Sequence, residues 1–297
     1  MSLAYEQLVI KLPEIEKNND LPDLFKKEAF RTIPIEDIGI LILDHKQITI
    51  TQGLLEKLLS NNCAVITCSS NRMPIGLLWP LSGNTIQSER FKDQINASLP
   101  LRKQLWQQTI KQKIENQAYV LNIKRGEVVK NMLVWASHVR SGDPDNYEAR
   151  AAAYYWKCLF PDLPGFTRDK DGIPPNNLLN YGYAILRAVM ARSLVASGLL
   201  PTLGIHHHNR YNAYCLADDM MEPYRPFVDK LVIEILDSGR AYETITSDLK
   251  NELLKIPTLD VCINGKRSPL MIATGLTSSS LYKCFSGEIR KISFPSM

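Results

Sequence analysis

The apolar positions of this chain follow two different periods. Up to residue 79 they form short runs rich in β-branched side chains, which are typical of strands. This pattern predicts one short helix at residues 53–59 and strands at residues 7–12, 31–35, 39–43, 47–51, 63–67 and 75–79. A stretch containing Pro, Ser, Gly and Asn at residues 80–84 then marks a boundary.

From about Glu89 onward, apolar residues recur at spacings of three and four, as on the buried face of a helix. This period predicts helices at residues 95–122, 126–141, 145–159, 177–197 and 212–237. Residues 240–297 carry a weaker pattern, for which we expect further helices and a loose tail. The chain is therefore predicted to have an α+β fold. A small, sandwich-like β-domain covers residues 1–84, and a larger all-helical domain covers residues 85–297.

Composition narrows the class of protein only slightly. Hydrophobic residues make up 45% and charged residues 22%, which is ordinary for a globular protein. The apolar runs are shorter than the roughly 18 residues of a membrane span, so we expect no membrane partner. A net charge of +4 allows a nucleic-acid partner without arguing for one. The six cysteines form no Cys-x-x-Cys pair, which predicts reduced thiols and a cytoplasmic location.

Three of the five histidines, His206, His207 and His208, lie side by side and precede an acidic stretch at residues 216–226. Imidazoles followed by carboxylates are what a protein needs to hold a divalent cation beside a phosphate. One imidazole with two carboxylates suits a hard, octahedral ion such as Mg²⁺ or Mn²⁺. Zinc bound by the histidines is the alternative, although no His-x-x-x-His or Cys–His spacing supports it.

A shared ion requires the chain to fold back after the histidines. In one straight helix His207 and Glu222 would lie roughly 22 Å apart, too far for one ion. Asn209 and Asn212 are good turn or N-cap residues, so a fold-back between them is allowed. Asn212 could then begin a helix on which Asp219 and Glu222 share a face.

Each of these features has an alternative interpretation. Residues 218–219 could form only a solvated helix face, and the three histidines could form an exposed loop. Arg225 could contact a phosphate bidentately or simply pair with Glu222. Upstream, Glu148 could be a metal ligand in a cleft, or it could close a capping box that begins at Asp145.

Taken in order, these motifs resemble the CRISPR-associated adaptation integrases, the "Cas-one" family, and are closest to its type II branch. The resemblance covers essentially the whole chain and includes residues 33–38 in the β-half. The matching motifs are Glu148-Ala149-Arg150, the helix start Asn180-Tyr181-Gly182-Tyr183, the histidine loop, and the acidic helix that ends Met221-Glu222-Pro223-Tyr224-Arg225-Pro226.

The resemblance implies a metal site. Glu148, His207 and Glu222 fall on the family's metal-binding triad, and the expected cofactor is Mg²⁺ or Mn²⁺. The spacing between His207 and Glu222 is that between the histidine and the last acid in type II members. This selects His207 as the metal ligand, and His208 is the second choice. Asp219 falls on an acid that assists the site. The roles of His206 and His208 stay open.

DNA is the substrate that the resemblance implies. The 3′-hydroxyl of a new prespacer fragment attacks a phosphodiester at the CRISPR repeat boundary, and hydrolysis is the same displacement with water as nucleophile. Arg225 falls on a DNA-facing position, and Arg187 and Arg150 are further expected phosphate contacts. In the family, two homodimers clamp a dimer of a small ferredoxin-like partner, giving a heterohexamer in which the β-domain serves dimer contacts.

One departure from the family pattern bears on function. The family's first strand is expected to be missing here, because residues 1–10 match its second strand. A missing strand would leave a sheet edge unpaired. The alternative function is therefore a catalytically weak DNA-binding scaffold of the same fold. Residues 17–25 are expected to form an unusually long loop.

Overall fold

A computed structural model of the protein describes residues 1–11, 30–70, 73–126, 129–163 and 165–297. The chain divides into two compact units, residues 1–83 and 84–297. The first unit is rich in strands and the second is largely helical, so the predicted α+β class is confirmed. Asn84, the last residue of the predicted β-domain, lies in the second unit.

Among the described residues, the first unit contains two three-stranded sheets. One is antiparallel and consists of β1 (Ser2–Ala4), β2 (Gln7–Lys11) and β3 (Phe30–Pro34). The other consists of β4 (Ile40–Leu43), β5 (Ala64–Cys68) and β6 (Pro74–Leu78), with β4 parallel and β6 antiparallel to β5. Helix α1 (Gln52–Ser60) connects β4 to β5, because parallel neighbours need a crossover. The unit's core is built by Leu8, Ile35, Leu54, Leu58, Cys63 and Val65.

The predicted strand at residues 47–51 was wrong. This segment pairs with no sheet strand among the described residues; it contacts the chain start, where Met1 N donates to the Thr49 carbonyl at 2.7 Å. Thr51 is instead the N-cap residue of α1. The unpredicted β1 pairs with β2 across a tight turn at Tyr5 and Glu6, whose φ angles of 48° and 60° suit a hairpin.

Two sequence predictions lie partly or wholly outside the described residues. The end of the predicted strand at residues 7–12 and the predicted loop at residues 17–25 fall in the range 12–29. The absence of the family's first strand stays a prediction.

The second unit is a helical assembly organised around two long helices, α3 and α6. Helix α3 packs against α4, α5 and α8, and α6 packs against α7, α8 and α10. The helices are α2 (Gln87–Asn96), α3 (Leu99–Arg125), α4 (Lys130–His138), α5 (Tyr147–Leu159), α6 (Asn176–Ala196), α7 (Cys215–Met221), α8 (Arg225–Asp237), α9 (Ser247–Leu253) and α10 (Leu270–Phe285).

Two of the predicted helices are broken in the structure. The helix predicted at residues 95–122 is interrupted at Ala97 and Ser98, and Ser98 Oγ caps α3 by accepting the Leu101 N–H at 3.3 Å. The helix predicted at residues 212–237 is divided by a 3₁₀ turn, Glu222–Tyr224, that separates α7 from α8. Two prolines in this region, which cannot donate a helical hydrogen bond, favour the break.

The C-terminal region departs most from expectation. A hairpin of β7 (Asp260–Ile263) and β8 (Lys266–Pro269) turns at Asn264-Gly265, both with positive φ, as a type I′ turn requires. The expectation of a loose tail was wrong. Ser296 exchanges backbone hydrogen bonds with Cys262 at 2.7 and 3.2 Å, so the tail is held against the hairpin.

Two expectations from composition concern membrane spans and thiols. None of the helices in the described part of the chain is long and apolar enough to cross a bilayer. The described part includes all six cysteines, and each is a free thiol.

The N-terminus of α5 is capped differently from the prediction. The carboxylate of Asp143 accepts the backbone N–H groups of Tyr147 at 3.0 Å and Glu148 at 2.9 Å. Asp145 instead pairs with the exposed Arg140 at 2.8 Å. The capping box from Asp145 to Glu148 was therefore wrong, and the carboxylate of Glu148 takes no part in capping.

Asp143→Ala should lower the free energy of unfolding by about 1–2 kcal/mol, since it removes the cap of α5. Asp145→Ala is the matched control and should change that free energy by less than about 1 kcal/mol, because it removes an exposed ion pair. Urea denaturation followed by circular dichroism measures both. A larger loss for Asp145→Ala would show that the cap is misassigned.

Candidate functional site

A buried lysine brings together two carboxylates from separate elements of the second unit. Lys113 in α3 is 8% exposed. Its Nζ lies 2.8 Å from Oε1 of Glu148, in the first turn of α5, and 2.6 Å from Oε2 of Glu222, which begins the 3₁₀ turn after α7. Two of the three predicted metal ligands therefore converge on one positive charge.

The carboxylate of Glu222 is buried and ionised. Burial by itself would raise its pKa, but Arg225 and Lys113 outweigh this and hold the pKa at about 2. Arg225 Nε donates to Oε1 at 2.8 Å, so Arg225 does pair with Glu222. Oε2 lies 2.6 Å from Nζ of Lys113, and this contact also lowers the pKa of Glu222.

The histidine loop is held by the carboxylate of Asp219, which is 0% exposed. Oδ2 accepts the backbone N–H groups of Ile205 at 2.7 Å and His206 at 3.0 Å. Oδ1 accepts the backbone N–H of His207 at 3.3 Å and its ring Nδ1–H at 2.5 Å. Asp219 therefore fixes the loop and is not part of a solvated helix face.

The chain approaches itself so closely here that one position requires glycine. A Cβ on Gly204 would clash with the carbonyl oxygen of His207 and with Oδ2 of Asp219. The loop therefore folds back on α7, as a shared site requires.

The structure distinguishes the three histidines by their contacts. The ring of His206 stacks on Trp106, with centroids 4.0 Å apart and planes 1° from parallel. The ring of His207 meets Trp106 edge-on, with centroids 5.6 Å apart. Burial lowers the pKa of His206, whereas the hydrogen bond to Asp219 raises the pKa of His207. His208 is exposed.

His207 has the arrangement of a metal-binding imidazole. Donation from Nδ1 to Asp219 leaves the lone pair on Nε2, and a carboxylate commonly orients a metal-bound histidine in this way. Glu222 and Glu148 also raise the pKa of His207, though less than Asp219 does. The structure therefore brings Glu148 and Glu222 together at Lys113 and holds His207 through Asp219.

The donor set fits a hard divalent cation in its chemistry, because it offers two carboxylates and one imidazole. Within the described ranges, however, no three His, Cys, Asp or Glu side chains are grouped so as to hold a metal ion. Lys113 lies between the carboxylates instead.

The three arginines predicted to contact DNA have different surroundings. Arg225 lies over the ring of Tyr183, with 4.5 Å from Cζ to the ring centroid, and its side chain is 24% exposed. Arg187 forms a bidentate pair with Asp218 at 2.6 and 3.1 Å. Arg150 is exposed. The role of all three in DNA binding stays a prediction.

A buried hydrogen-bond network lies beside the carboxylates. Asp229 accepts the hydroxyl groups of Tyr155 at 2.9 Å and Tyr183 at 2.5 Å, and burial raises its pKa to about 6. A cavity of about 140 Å³ adjoins this network, and Lys113 and Glu222 also line it.

Sequence reasoning missed Lys113 and Trp106 as parts of the site. One signal for Lys113 was available, since it lies three residues after Ile110 on the apolar face of α3, where a charge needs a partner. Trp106 lies on the same face but carries no comparable signal, because an apolar ring there is ordinary core.

Comparison with known proteins gives consistent matches. Residues 15–255 match the protein family described as CRISPR associated protein Cas1. A CRISPR-associated endonuclease Cas1 from Neisseria meningitidis serogroup C is 41% identical over 250 residues, which cover 84% of this chain and 81% of the relative.

Solved structures show the same fold. A casposase bound to integration product has a TM-score of 0.76 at 20% identity, covering 98% of this chain and 89% of the casposase chain. A Cas6-RT-Cas1–Cas2 complex has a TM-score of 0.67 at 19% identity, covering 90% of this chain and 33% of that chain. The family predicted from the motifs is confirmed by the extent of the sequence match. The chain belongs to the Cas1 family of CRISPR-associated proteins.

Proposed function

We propose that the protein is a metal-dependent DNA endonuclease and strand-transfer integrase that inserts new spacer DNA into a CRISPR array. The observation that carries this proposal is the convergence of Glu148 and Glu222 on the ammonium of Lys113, together with the imidazole of His207 that Asp219 orients. The endonuclease name of the Neisseria relative and the integration product of the casposase are consistent with it.

In this mechanism the residues of the chain hold and orient the reacting groups. Glu148, His207 and Glu222 would hold Mg²⁺ or Mn²⁺. The chemistry expected of such an ion is polarisation of the phosphoryl group and stabilisation of charge on the attacking or leaving oxygen. Asp219 keeps the proton of His207 on Nδ1, so that Nε2 would carry the lone pair that holds the ion. Arg225 keeps Glu222 ionised and in place.

The reaction itself is a displacement at phosphorus. The 3′-hydroxyl of the incoming DNA attacks a phosphodiester of the repeat and forms a new P–O bond, while the old P–O bond breaks and releases a 3′-hydroxyl. Water in place of the incoming hydroxyl gives hydrolysis. Because one set of ligands serves both reactions, nuclease and integrase activities should be lost together.

The proposal extends to partners. DNA binding would involve Arg225, Arg187 and Arg150, and the unit formed by residues 1–83 would make homodimer contacts. A small ferredoxin-like partner would join two such dimers. The Cas2 named in the complex of a structural neighbour is the corresponding candidate. The catalytically weak scaffold remains the second candidate function, and activity measurements decide between the two.

Glu222→Gln should reduce strand transfer on a branched, half-integrated DNA in Mn²⁺ by about 100-fold or more, because it removes a charged metal ligand. Duplex affinity should change by less than about threefold, since phosphate contacts dominate it. Gel analysis of products and fluorescence anisotropy measure the two quantities.

Glu234→Gln is the matched control, because Glu234 is a half-exposed acid on α8 that pairs with Lys124. It should leave strand transfer unchanged. Equal activity of Glu222→Gln and Glu234→Gln would refute the site. If neither variant nor the unsubstituted chain forms product, while the unsubstituted chain still binds DNA, the scaffold function is favoured.

Removal of divalent cations with EDTA should abolish strand transfer, and Mn²⁺ or Mg²⁺ should restore it because both prefer carboxylate ligands. Zn²⁺ should not restore it. The measurement is product formation with each of the three metals. If Zn²⁺ were the most effective, the assignment would be contradicted, because the alternative of zinc bound by the histidines requires that result.

Asp219→Asn should weaken Mn²⁺ binding about 10- to 100-fold, because the imidazole of His207 loses the carboxylate that orients it. Asp218→Asn is the neighbouring control, since Asp218 pairs with Arg187 and Asn212 and not with a histidine. Equal losses in the two variants, measured by Mn²⁺ titration, would mean that orientation of His207 is not the cause.

A further inference from the structure

The ammonium of Lys113 competes with the ion that the proposed function requires. It contacts Oε1 of Glu148 and Oε2 of Glu222 at 2.8 and 2.6 Å, the oxygens that a shared divalent ion would use. Two cations at the same pair of oxygens would repel each other, and the burial of Lys113 and Glu222 strengthens that repulsion. Binding of the ion therefore requires the lysine to move.

We propose that Lys113 is a displaceable counter-ion, which holds Glu148 and Glu222 together until a divalent cation takes its place. This inference rests on the proposed metal-dependent function. Without a cation, the buried carboxylate of Glu222 and the partly buried carboxylate of Glu148 would repel each other, and the ammonium neutralises that repulsion. The lysine thus holds the two carboxylates close together, at the cost of weaker metal binding.

The structure provides a place for the displaced ammonium. Lys113 and Gln117 line the same cavity of about 140 Å³. Gln117 lies one turn further along α3, is 3% exposed, and its Oε1 has no hydrogen-bond donor in the described part of the chain. Residues four apart on a helix are neighbours, and the lysine stem is flexible. The ammonium therefore moves from the carboxylates to Oε1 of Gln117.

The effect of removing Lys113 on metal affinity distinguishes a displaceable counter-ion from an ordinary structural salt bridge. A lysine that only supports the carboxylates would position them for the ion, so its loss would weaken metal binding. A lysine that competes with the ion would strengthen metal binding when it is lost. The sign of the change in affinity separates the two roles.

The test is Mn²⁺ titration of the EDTA-treated full-length chain, with free Mn²⁺ measured by electron paramagnetic resonance. Lys113→Met should bind Mn²⁺ on the order of tenfold more tightly, because an unbranched side chain replaces the competing charge. Lys111→Met is the matched control on the same helix, with a side chain 54% exposed, and should not change the affinity. Lys113→Gln provides a second variant if Lys113→Met folds poorly.

Thermal unfolding gives a readout that is independent of activity. Without metal, Lys113→Met should melt at a lower temperature than the unsubstituted chain, since its two carboxylates lose their counter-ion. Saturating Mn²⁺ should raise its melting temperature by more than it raises that of the unsubstituted chain. An equal rise in both would contradict displacement.

A second substitution tests the place to which the ammonium moves. Gln117→Leu should weaken Mn²⁺ binding about threefold in the unsubstituted chain, because the displaced ammonium loses its acceptor. In the Lys113→Met background the same substitution should have no effect. An equal effect in both backgrounds would overturn the assignment of Gln117.

The outcomes separate this inference from the proposed function. If the unsubstituted chain binds Mn²⁺ and Lys113→Met and Lys113→Gln bind it equally or more weakly, the displacement is refuted and the metal site stands. If neither the unsubstituted chain nor any variant binds Mn²⁺, both the metal site and the displacement are refuted. Tighter binding in both Lys113 variants, with Lys111→Met unchanged, supports the displacement.

Discussion

The second unit contains three buried acids, Asp218, Asp219 and Glu222, and the groups that neutralise them link these acids to the surrounding elements. A buried carboxylate is tolerated only when cations or N–H groups satisfy it. Asp218 has Arg187, Glu222 has Arg225 and Lys113, and Asp219 has the amides and one imidazole of the histidine loop. These contacts tie α3, α6 and the loop to the segment that carries the acids.

The break between α7 and α8 makes this neutralisation possible. The 3₁₀ turn Glu222–Tyr224 packs against α3, where Lys113 lies. Asp219, one turn earlier in α7, faces the histidine loop instead. One short acidic segment thus supplies both a ligand for the proposed ion and the group that orients the imidazole. Asp143 also supports the site. Its carboxylate caps α5, so the carboxylate of Glu148 remains available as a ligand.

Much of the fold was predictable because it depends on local patterns. Helical periodicity located α5 and α6 to within a few residues. The spaced motifs singled out Glu148, Asp219 and Glu222, whose role as site residues stays a prediction. Two of the wrong predictions, the strand at residues 47–51 and the loose tail, depended on partners distant in sequence. The β-branched run at residues 47–51 has strand composition but no strand beside it. The tail was expected to be loose because nothing nearby in sequence shows that Ser296 pairs with Cys262.

The site could be predicted only in part for the same reason. Lys113 belongs to it through contacts with residues far along the chain, and only the structure shows that Asp219 orients the ring of His207. A local cue was available for the C-terminal hairpin, because Asn264-Gly265 between two extended segments is typical of a tight turn. The weak pattern of residues 240–297 predicted helices there, and α9 and α10 form on either side of the hairpin.

The central claim is that Glu148, His207 and Glu222 bind one ion. The most direct test is pulsed electron paramagnetic resonance of Mn²⁺ bound to the chain, which detects hyperfine coupling to a directly bonded imidazole nitrogen. We expect one Mn²⁺ per chain with coupling to a single nitrogen. That coupling should be lost in His207→Ala and kept in His206→Ala and His208→Ala. Bound Mn²⁺ without nitrogen coupling, or coupling that survives His207→Ala, would contradict it.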